Sequence, residues 1–159
     1  MTPTVRIAQF GEYMSRHCVD VFDAMLCLPV GLSEKPAPRF SARVCGLVCF
    51  AGESVTGAVG IHFSETFARR ATAAMLGLTP DDITSQAGVN DAVGEIAKML
   101  TGGLKAWLHD GGISCVMSAP VIIRGSAFNL EPMPEMERET LVFECGHESV
   151  VLEINVKQV

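Results

Sequence analysis

The stretch VNDAVGEIAKMLTGGLKAWLH, residues 89–109, determines how the rest of this chain has to fold. On a helical wheel of about 100° per residue, its apolar side chains form one stripe and its polar side chains form the opposite stripe. The apolar stripe consists of Val89, Val93, Ile96, Leu100, Leu104 and Trp107. The polar stripe consists of Asp91, Glu95, Lys98, Gly102, Lys105 and His109. The pattern predicts one long helix over residues 86–109, ended by Gly111-Gly112, with its apolar stripe on a core.

Upstream of this helix the sequence predicts a further helix, a hairpin and a pair of shorter helices. Apolar residues at helical spacing indicate a first helix that Pro29 closes. These residues are Phe10, Met14, Val21, Met25 and Leu28. Two apolar runs, 41–51 and 54–63, are typical of a β-hairpin. A helix from Ser64 to Gly77 follows, because serine is a good N-cap and glycine a good C-terminal stop. Thr79-Pro80-Asp81-Asp82 then begins another helix.

Downstream of the long helix the pattern is that of strands, over residues 118–125, 139–146 and 148–157. Residues 130–137, rich in proline and methionine, predict a surface loop. The order of helix, two strands, helices and three strands is typical of an α+β sandwich, in which helices pack on a largely antiparallel sheet. We expect the 159 residues to form a single domain, 1–159.

The composition excludes several classes of function. The formal net charge is -6 and Lys and Arg form no cluster, so we expect no nucleic-acid binding. No stretch approaches the roughly 20 apolar residues that cross a bilayer. Charged residues between Arg6 and Asp20 interrupt the apolar residues at the start, which is unlike a signal peptide. We therefore expect a cytoplasmic protein that makes no membrane contact.

The six cysteines lie among apolar neighbours, which predicts buried thiols in a reducing compartment. Cys45 and Cys49 lie four residues apart on one face of a predicted strand, and His62 lies in the next strand. A metal site built from these three side chains is an alternative. Zinc sites, however, usually show tighter ligand pairs and a second pair of ligands. We therefore expect no bound metal.

The polar stripe of the long helix has two interpretations. The ordinary one is a solvated face with charge pairs such as Glu95 and Lys98, which are i,i+3 neighbours. Gly102, however, costs a helix about 1 kcal/mol relative to alanine, and core packing does not explain it because it lies on the outward stripe. A missing side chain there lets another surface come close beside Glu95 and Lys98. The second interpretation is therefore a docking face.

The residues DAVGEIAKMLTG, Asp91–Gly102, resemble the active-site helix of the CheC/CheX/FliY phosphatase family, and most closely that of the CheX chemotaxis phosphatases. Pro120, within SAPVIIRG, matches a proline that follows this helix in the family. Further segments resemble the family's first helix, a strand and the following helix, namely Val21–Leu26, Gly57–Ser64 and Ala74–Gly77. The first helix carries no second Glu-x-x-Asn motif, which favours the CheX branch over CheC.

The resemblance implies a CheC-like α/β sandwich that dephosphorylates the aspartyl-phosphate of a CheY-like response regulator. In the family a glutamate anchors a lysine of the regulator, and an asparagine three residues later orients the attacking water. There is no covalent nucleophile and no cofactor of the phosphatase itself, because the regulator supplies Mg²⁺. Glu95 matches the family's glutamate, and Lys98 stands at the position of its asparagine. Asp91, Gly102 and Lys105, on the same stripe, are expected to contact the partner.

Lys98 changes the chemistry of this motif. An amide offers an acceptor oxygen and donor hydrogens on one plane, whereas an ammonium group only donates. Lys98 therefore cannot accept a hydrogen from the attacking water, and it can pair with Glu95 in competition with the regulator's lysine. We expect regulator docking with low or absent phosphatase activity. Two alternatives stay open: a non-enzymatic interaction or scaffold module, and a phosphatase that uses Lys98 unconventionally.

The sequence also predicts a homodimer. Over residues 41–51 both alternating sets of side chains are mostly apolar, which is typical of a strand covered on both faces. The family resemblance points the same way, because CheX relatives pair through their sheets. We expect a dimer in sedimentation-velocity experiments at micromolar protein concentration. A monomer under those conditions would contradict the prediction.

Overall fold

The structure, a computed structural model, describes residues 3–126 and 128–158. Its helices are α1 (Ile7–Leu26), α2 (Glu65–Leu76) and α3 (Gln86–Asp110), with a 3-10 turn at Pro80–Asp82. Its strands are β1 (Gly31–Ser33), β2 (Arg43–Ala51), β3 (Val55–Ser64), β4 (Val116–Met117), β5 (Val121–Gly125), β6 (Glu137–Cys145) and β7 (Glu148–Gln158). The strands pair in the order β1-β6-β7-β3-β2-β4, with β5 also on β2. All these pairings are antiparallel, so the predicted α+β architecture is confirmed.

The helices pack on one face of the sheet, called here the inner face. Alternate residues of β2, β3 and β7 point to this face, and in the middle of each strand they are buried there. On β2 these residues are Val44, Gly46, Val48 and Phe50, and on β7 they are Val150, Leu152, Ile154 and Val156. None of the helices in the described part of the chain is long and apolar enough to cross a membrane.

α3 lies directly against β2, and Gly46 sets how close the two come. A Cβ placed on Gly46 would lie 3.0 Å from Cβ of Ala97 and 3.0 Å from Cγ1 of Val93. Both distances are tighter than ordinary van der Waals contact, so glycine allows the backbone of the strand to approach the helix. This contact fixes both the depth and the rotation of α3 on the sheet.

α1 packs along α3 through aromatic side chains. The ring of Tyr13 stacks on Trp107 with centroids 5.0 Å apart, and its hydroxyl donates to the carbonyl oxygen of Gly103 at 3.0 Å. The ring of His17 stacks on Tyr13 and its Nε2 lies 3.2 Å from the carbonyl oxygen of Met99. A Cβ on Gly103 would overlap the His17 ring. The α1–α3 contact therefore explains the glycine at 103.

α1 ends earlier than predicted. Cys27 caps it in the left-handed conformation, with φ of 51°, and its N–H donates to the carbonyl oxygen of Asp23 at 3.1 Å. The helix therefore stops at Leu26 rather than at Pro29. Met25, predicted for the apolar stripe, is 54% exposed. It lies on the same side of the helix as Met14, but in the last turn, where that side is open to solvent.

The strand predicted over residues 118–125 is interrupted. β4 and β5 both pair with β2, and Ser118–Pro120 lies between them outside the strands. Pro120 has no N–H to donate to a ladder, which explains the break. One boundary and one short strand also differ from the prediction. β6 begins at Glu137, and β1 was not predicted because three residues are too short to show a pattern.

The face of the sheet away from the helices, the outer face, is partly covered by the chain itself. The segment 128–136, most of which lies in the loop predicted over residues 130–137, crosses this face, and the ring of Phe128 lies 6.3 Å from that of His62 between centroids. Cys45 is buried on the outer face, whereas Cys49 is exposed. Part of the apolar surface that predicted a partner subunit is therefore covered within the chain, and the part around Cys49 stays open.

A polar cluster lies on the outer face, with His62 and Glu153 buried and Arg138 at its exposed edge. Nε2 of His62 lies 3.7 Å from Oε1 of Glu153 and 3.8 Å from Sγ of Cys45, and Arg138 donates to the same Glu153 oxygen at 2.8 Å. Burial, followed by the charges of Arg43 and Arg138, lowers the pKa of His62 to about 4. Burial, followed by the charge of Glu153, raises the pKa of Cys45 to about 12. At neutral pH the imidazole is therefore neutral and the thiol protonated.

Acidification should destabilise the fold through His62. Its folded pKa of about 4 lies below the unfolded value of about 6.5, so the unfolded state binds the proton first and stability is lost as the pH falls between these values. Between about pH 7.5 and pH 5 the loss from this group should be about 2 kcal/mol. Urea denaturation at both pH values measures it. Glutamine does not titrate, so His62→Gln should lack this part of the pH dependence of the free energy of unfolding. The same pH dependence in this variant would show that His62 is not its source.

The adjacent glycines of α3 should respond oppositely to alanine. Gly102→Ala should raise the free energy of unfolding by up to about 1 kcal/mol, because alanine favours the helix and the added methyl meets no atom. Gly103→Ala gains the same propensity, but its methyl displaces the His17 ring from its stack on Tyr13, and we expect a net loss of about 1–3 kcal/mol. Urea denaturation of the two variants is the measurement. Equal effects would show that the α1–α3 contact does not require the glycine.

Candidate functional site

The polar stripe of α3 faces away from the sheet. The helix begins at a capped end, where the N–H of Gly88 donates to the hydroxyl of Ser85 at 3.1 Å. Its apolar stripe is buried as the wheel predicts, apart from Trp107, which is half-buried. The exposed stripe consists of Asp91, Glu95, Lys98, Lys105 and His109, with the half-buried Gly102 among them. The structure therefore places the five predicted site residues on one continuous surface, namely Asp91, Glu95, Lys98, Gly102 and Lys105.

Glu95 and Lys98 form an ion pair at the centre of this stripe. Nζ of Lys98 donates to Oε1 of Glu95 at 3.3 Å, and the two side chains are 46% and 57% exposed, lysine first. An exposed pair of this kind contributes about 0–1 kcal/mol. A cation from another molecule can therefore take the carboxylate at small cost, provided that it displaces Lys98.

Gly102 leaves the surface open one turn beyond this pair. A Cβ on Gly102 would have no neighbour within 4 Å, so no contact within the described chain requires a glycine there. Next to it, Lys105, Ala106 and His109 line a shallow groove of about 440 Å³, together with Cys115. The space along this part of the stripe is large enough for side chains of a second protein.

Pro120 lies beside the same stretch of α3. A Cβ on Gly94 would be 3.3 Å from Cγ of Pro120 and 3.9 Å from Cδ1 of Ile122. The proline therefore packs on the helix at the residue before Glu95. The sequence assigned Pro120 to the position of the family's proline, and the structure brings it next to the candidate site because the Ser118–Pro120 segment leaves the ladder at this point.

Arg124 anchors α3 close to the beginning of the polar stripe. The sequence analysis did not predict this role. Its Nε donates to Oδ1 of Asn90 at 2.7 Å, and its Nη1 donates to Oε2 of Glu65 at 2.6 Å. The arginine thus joins β5, α2 and α3 one residue before Asp91. A strand arginine within a largely apolar run was the available signal, but its two partners lie 34 and 59 residues away along the chain.

The alternative metal site is not assembled. Cys45 lies beside His62, but Cys49 is exposed and takes no part in that cluster. Over residues 3–126 and 128–158, no group of three or more His, Cys, Asp or Glu side chains is placed to hold a metal ion.

Comparison with known proteins gives the family of this chain. The family model for the chemotaxis phosphatase CheX matches residues 44–144, well over half of the chain. The protein therefore belongs to the CheX family, as the sequence resemblance predicted. No match was found among curated protein sequences.

Solved structures agree with this assignment. The chemotaxis protein CheX from Vibrio vulnificus is 27% identical, with a TM-score of 0.82 over 97% of this chain and 100% of that one. A putative chemotaxis protein from Desulfovibrio vulgaris Hildenborough is 20% identical, with a TM-score of 0.80 and the same coverage of 97% and 100%. CheX in the CheX–CheY–BeF3–Mg²⁺ complex from Borrelia burgdorferi is 18% identical, with a TM-score of 0.73 over 93% and 97% of the two chains.

Proposed function

We propose that this protein docks a phosphorylated CheY-like response regulator on the polar stripe of α3, as a single-domain component of cytoplasmic chemotaxis or two-component signalling. The observation that carries the proposal is the carboxylate of Glu95, which is exposed at the centre of that stripe and paired with Lys98 at 3.3 Å. A family member from Borrelia burgdorferi forms a complex with CheY. Glu95 is the anchor for a lysine of the regulator, and Asp91, Gly102 and Lys105 extend the contact.

The proposed chemistry depends on positioning. Hydrolysis of an aspartyl-phosphate needs a water molecule held in line with the phosphorus atom, which a fixed amide can orient by accepting and donating hydrogen bonds. Lys98 can neutralise charge on the phosphoryl group, but its ammonium group has no acceptor for the water's hydrogen. We therefore assign this protein regulator binding with little or no hydrolysis. Mg²⁺ belongs to the regulator, in keeping with the Mg²⁺ and BeF3 of the Borrelia complex.

Lys98 also favours a second function, that of a non-catalytic interaction module. The ammonium group of Lys98 pairs with the Glu95 carboxylate, which the regulator's lysine would otherwise bind. A docking regulator therefore has to displace Lys98 from Glu95. If that competition prevails, the α3 surface serves a partner other than a receiver domain. Binding of a regulator activated with beryllofluoride distinguishes the two functions.

Lys98→Asn should restore phosphatase activity. The substitution returns a donor–acceptor amide to the position and frees Glu95, while the helix loses only a few tenths of a kcal/mol in propensity. We expect phosphate release from a phosphorylated regulator of the same organism to rise at least about tenfold over the protein with Lys98. Single-turnover measurement of phosphate release is the test. Adding Glu95→Ala to Lys98→Asn should abolish the gain.

The matched control for this experiment is Lys35→Asn. Lys35 forms an exposed pair with Glu144 at 3.2 Å, similar to the Lys98–Glu95 pair but outside α3, so its loss should change neither binding nor hydrolysis. Strong activity with Lys98 in place, undiminished in Lys98→Ala, would refute the proposed role of this residue. Absence of binding to the beryllofluoride-activated regulator in all variants would favour the interaction module.

A further inference from the structure

A cleft on another part of the molecule has the properties of an anion site. It lies between the segment that leads into β2 and the segment that follows β5, and its volume is about 600 Å³. The side chains that line the cleft and could contact a ligand are those of Arg39, Phe40, Arg43, Ser126, Phe128 and Asn129. None of them belongs to the polar stripe of α3. Clefts of roughly 300–1,000 Å³ are the usual size for small-molecule sites.

The polar groups of this cleft are cations or neutral groups. Arg39 and Arg43 supply guanidinium groups, and Ser126 and Asn129 supply a hydroxyl and an amide, whereas no carboxylate lines the cleft. Neither arginine forms an ion pair with a carboxylate within residues 3–126 and 128–158. Their charge is therefore available to a ligand.

Arg43 is held in a fixed orientation. The carbon of its guanidinium group lies 3.7 Å from the centroid of the Phe128 ring and 5.7 Å from that of Phe40, and its Nη2 donates to the carbonyl oxygen of Phe128. Its Nε–H is buried and has no acceptor among the described residues. A guanidinium plane that is already oriented loses less freedom when it binds a ligand, and a guanidinium group donates well to phosphate oxygens.

We infer that this cleft binds a nucleotide through its phosphate. The phosphate lies between Arg39 and Arg43, within reach of Ser126 and Asn129, and the base stacks on the half-buried ring of Phe40. A phosphate ion alone fills only a small part of the cleft, whereas an aromatic ring beside paired arginines suits a ligand that carries both an anion and a planar base. This inference does not depend on the regulator-docking function.

Isothermal titration of the full-length protein with GTP, ATP and inorganic phosphate, at low ionic strength and without Mg²⁺, tests the site. We expect one nucleotide per chain, with binding that weakens as salt rises. Arg39→Glu should weaken nucleotide binding at least about tenfold, because it reverses one charge of the clamp. Arg16→Glu is the matched control: Arg16 is an exposed arginine of α1, and the same change of net charge there should leave binding within about twofold.

The stacking partner is tested separately. Phe40→Ala should weaken binding of GTP or ATP and leave binding of inorganic phosphate unchanged, because the ring contacts only the base. No heat of binding with any of the three probes at millimolar concentration would overturn the inference, as would equal losses in Arg39→Glu and Arg16→Glu. Phosphate and nucleotides that bind equally well, with no effect of Phe40→Ala, would overturn the assignment of a nucleotide.

Discussion

The close approach of α3 to β2 is the constraint on which the rest of the molecule depends. Gly46 has no side chain, so Val93 and Ala97 rest on the strand backbone itself, and the apolar stripe of the helix is buried along with them. A helix fixed on one side has no freedom to rotate. A rotation by one residue, about 100°, would carry charged side chains of the polar stripe towards the core, at a cost far above that of exposing them. The positions of Glu95 and Lys98 therefore follow from the packing on the opposite side.

This arrangement separates the stability of the protein from the chemistry of its surface. At an exposed helix position, lysine and asparagine differ by only a few tenths of a kcal/mol, and the Glu95–Lys98 pair adds little more. The core does not constrain which side chain stands at 98. For a docked receiver domain, in contrast, the difference is large: an asparagine amide both donates and accepts hydrogen bonds, whereas a lysine ammonium group only donates them. The fold can thus keep a docking surface while the catalytic group is changed.

The outer face of the sheet shows how one chain covers a surface that its sequence left apolar. Phe128 and the residues that follow cross this face over a polar cluster of His62, Glu153 and Arg138. The three side chains meet because β3, β7 and β6 are neighbours in the sheet, and residues 62 and 138 are diagonal neighbours of residue 153 on its outer face. The same segment supplies Phe128 to Arg43, and it thereby forms one wall of the arginine cleft. Cys49 marks the part of the face that the segment leaves open.

The sequence by itself determined the two faces of α3, the order of the main elements, the CheX resemblance and the departure at Lys98. These depend on local periodicity and on residues close together along the chain. The tertiary structure decided the end of α1 at Cys27, the exposure of Met25, the need for glycine at 103 and the break in the strand that lets Pro120 pack on α3 at Gly94. It also decided the Arg124 contacts, whose partners lie 34 and 59 residues away. Each of these depends on which distant segment comes into contact, and a helical or strand repeat carries no information about that.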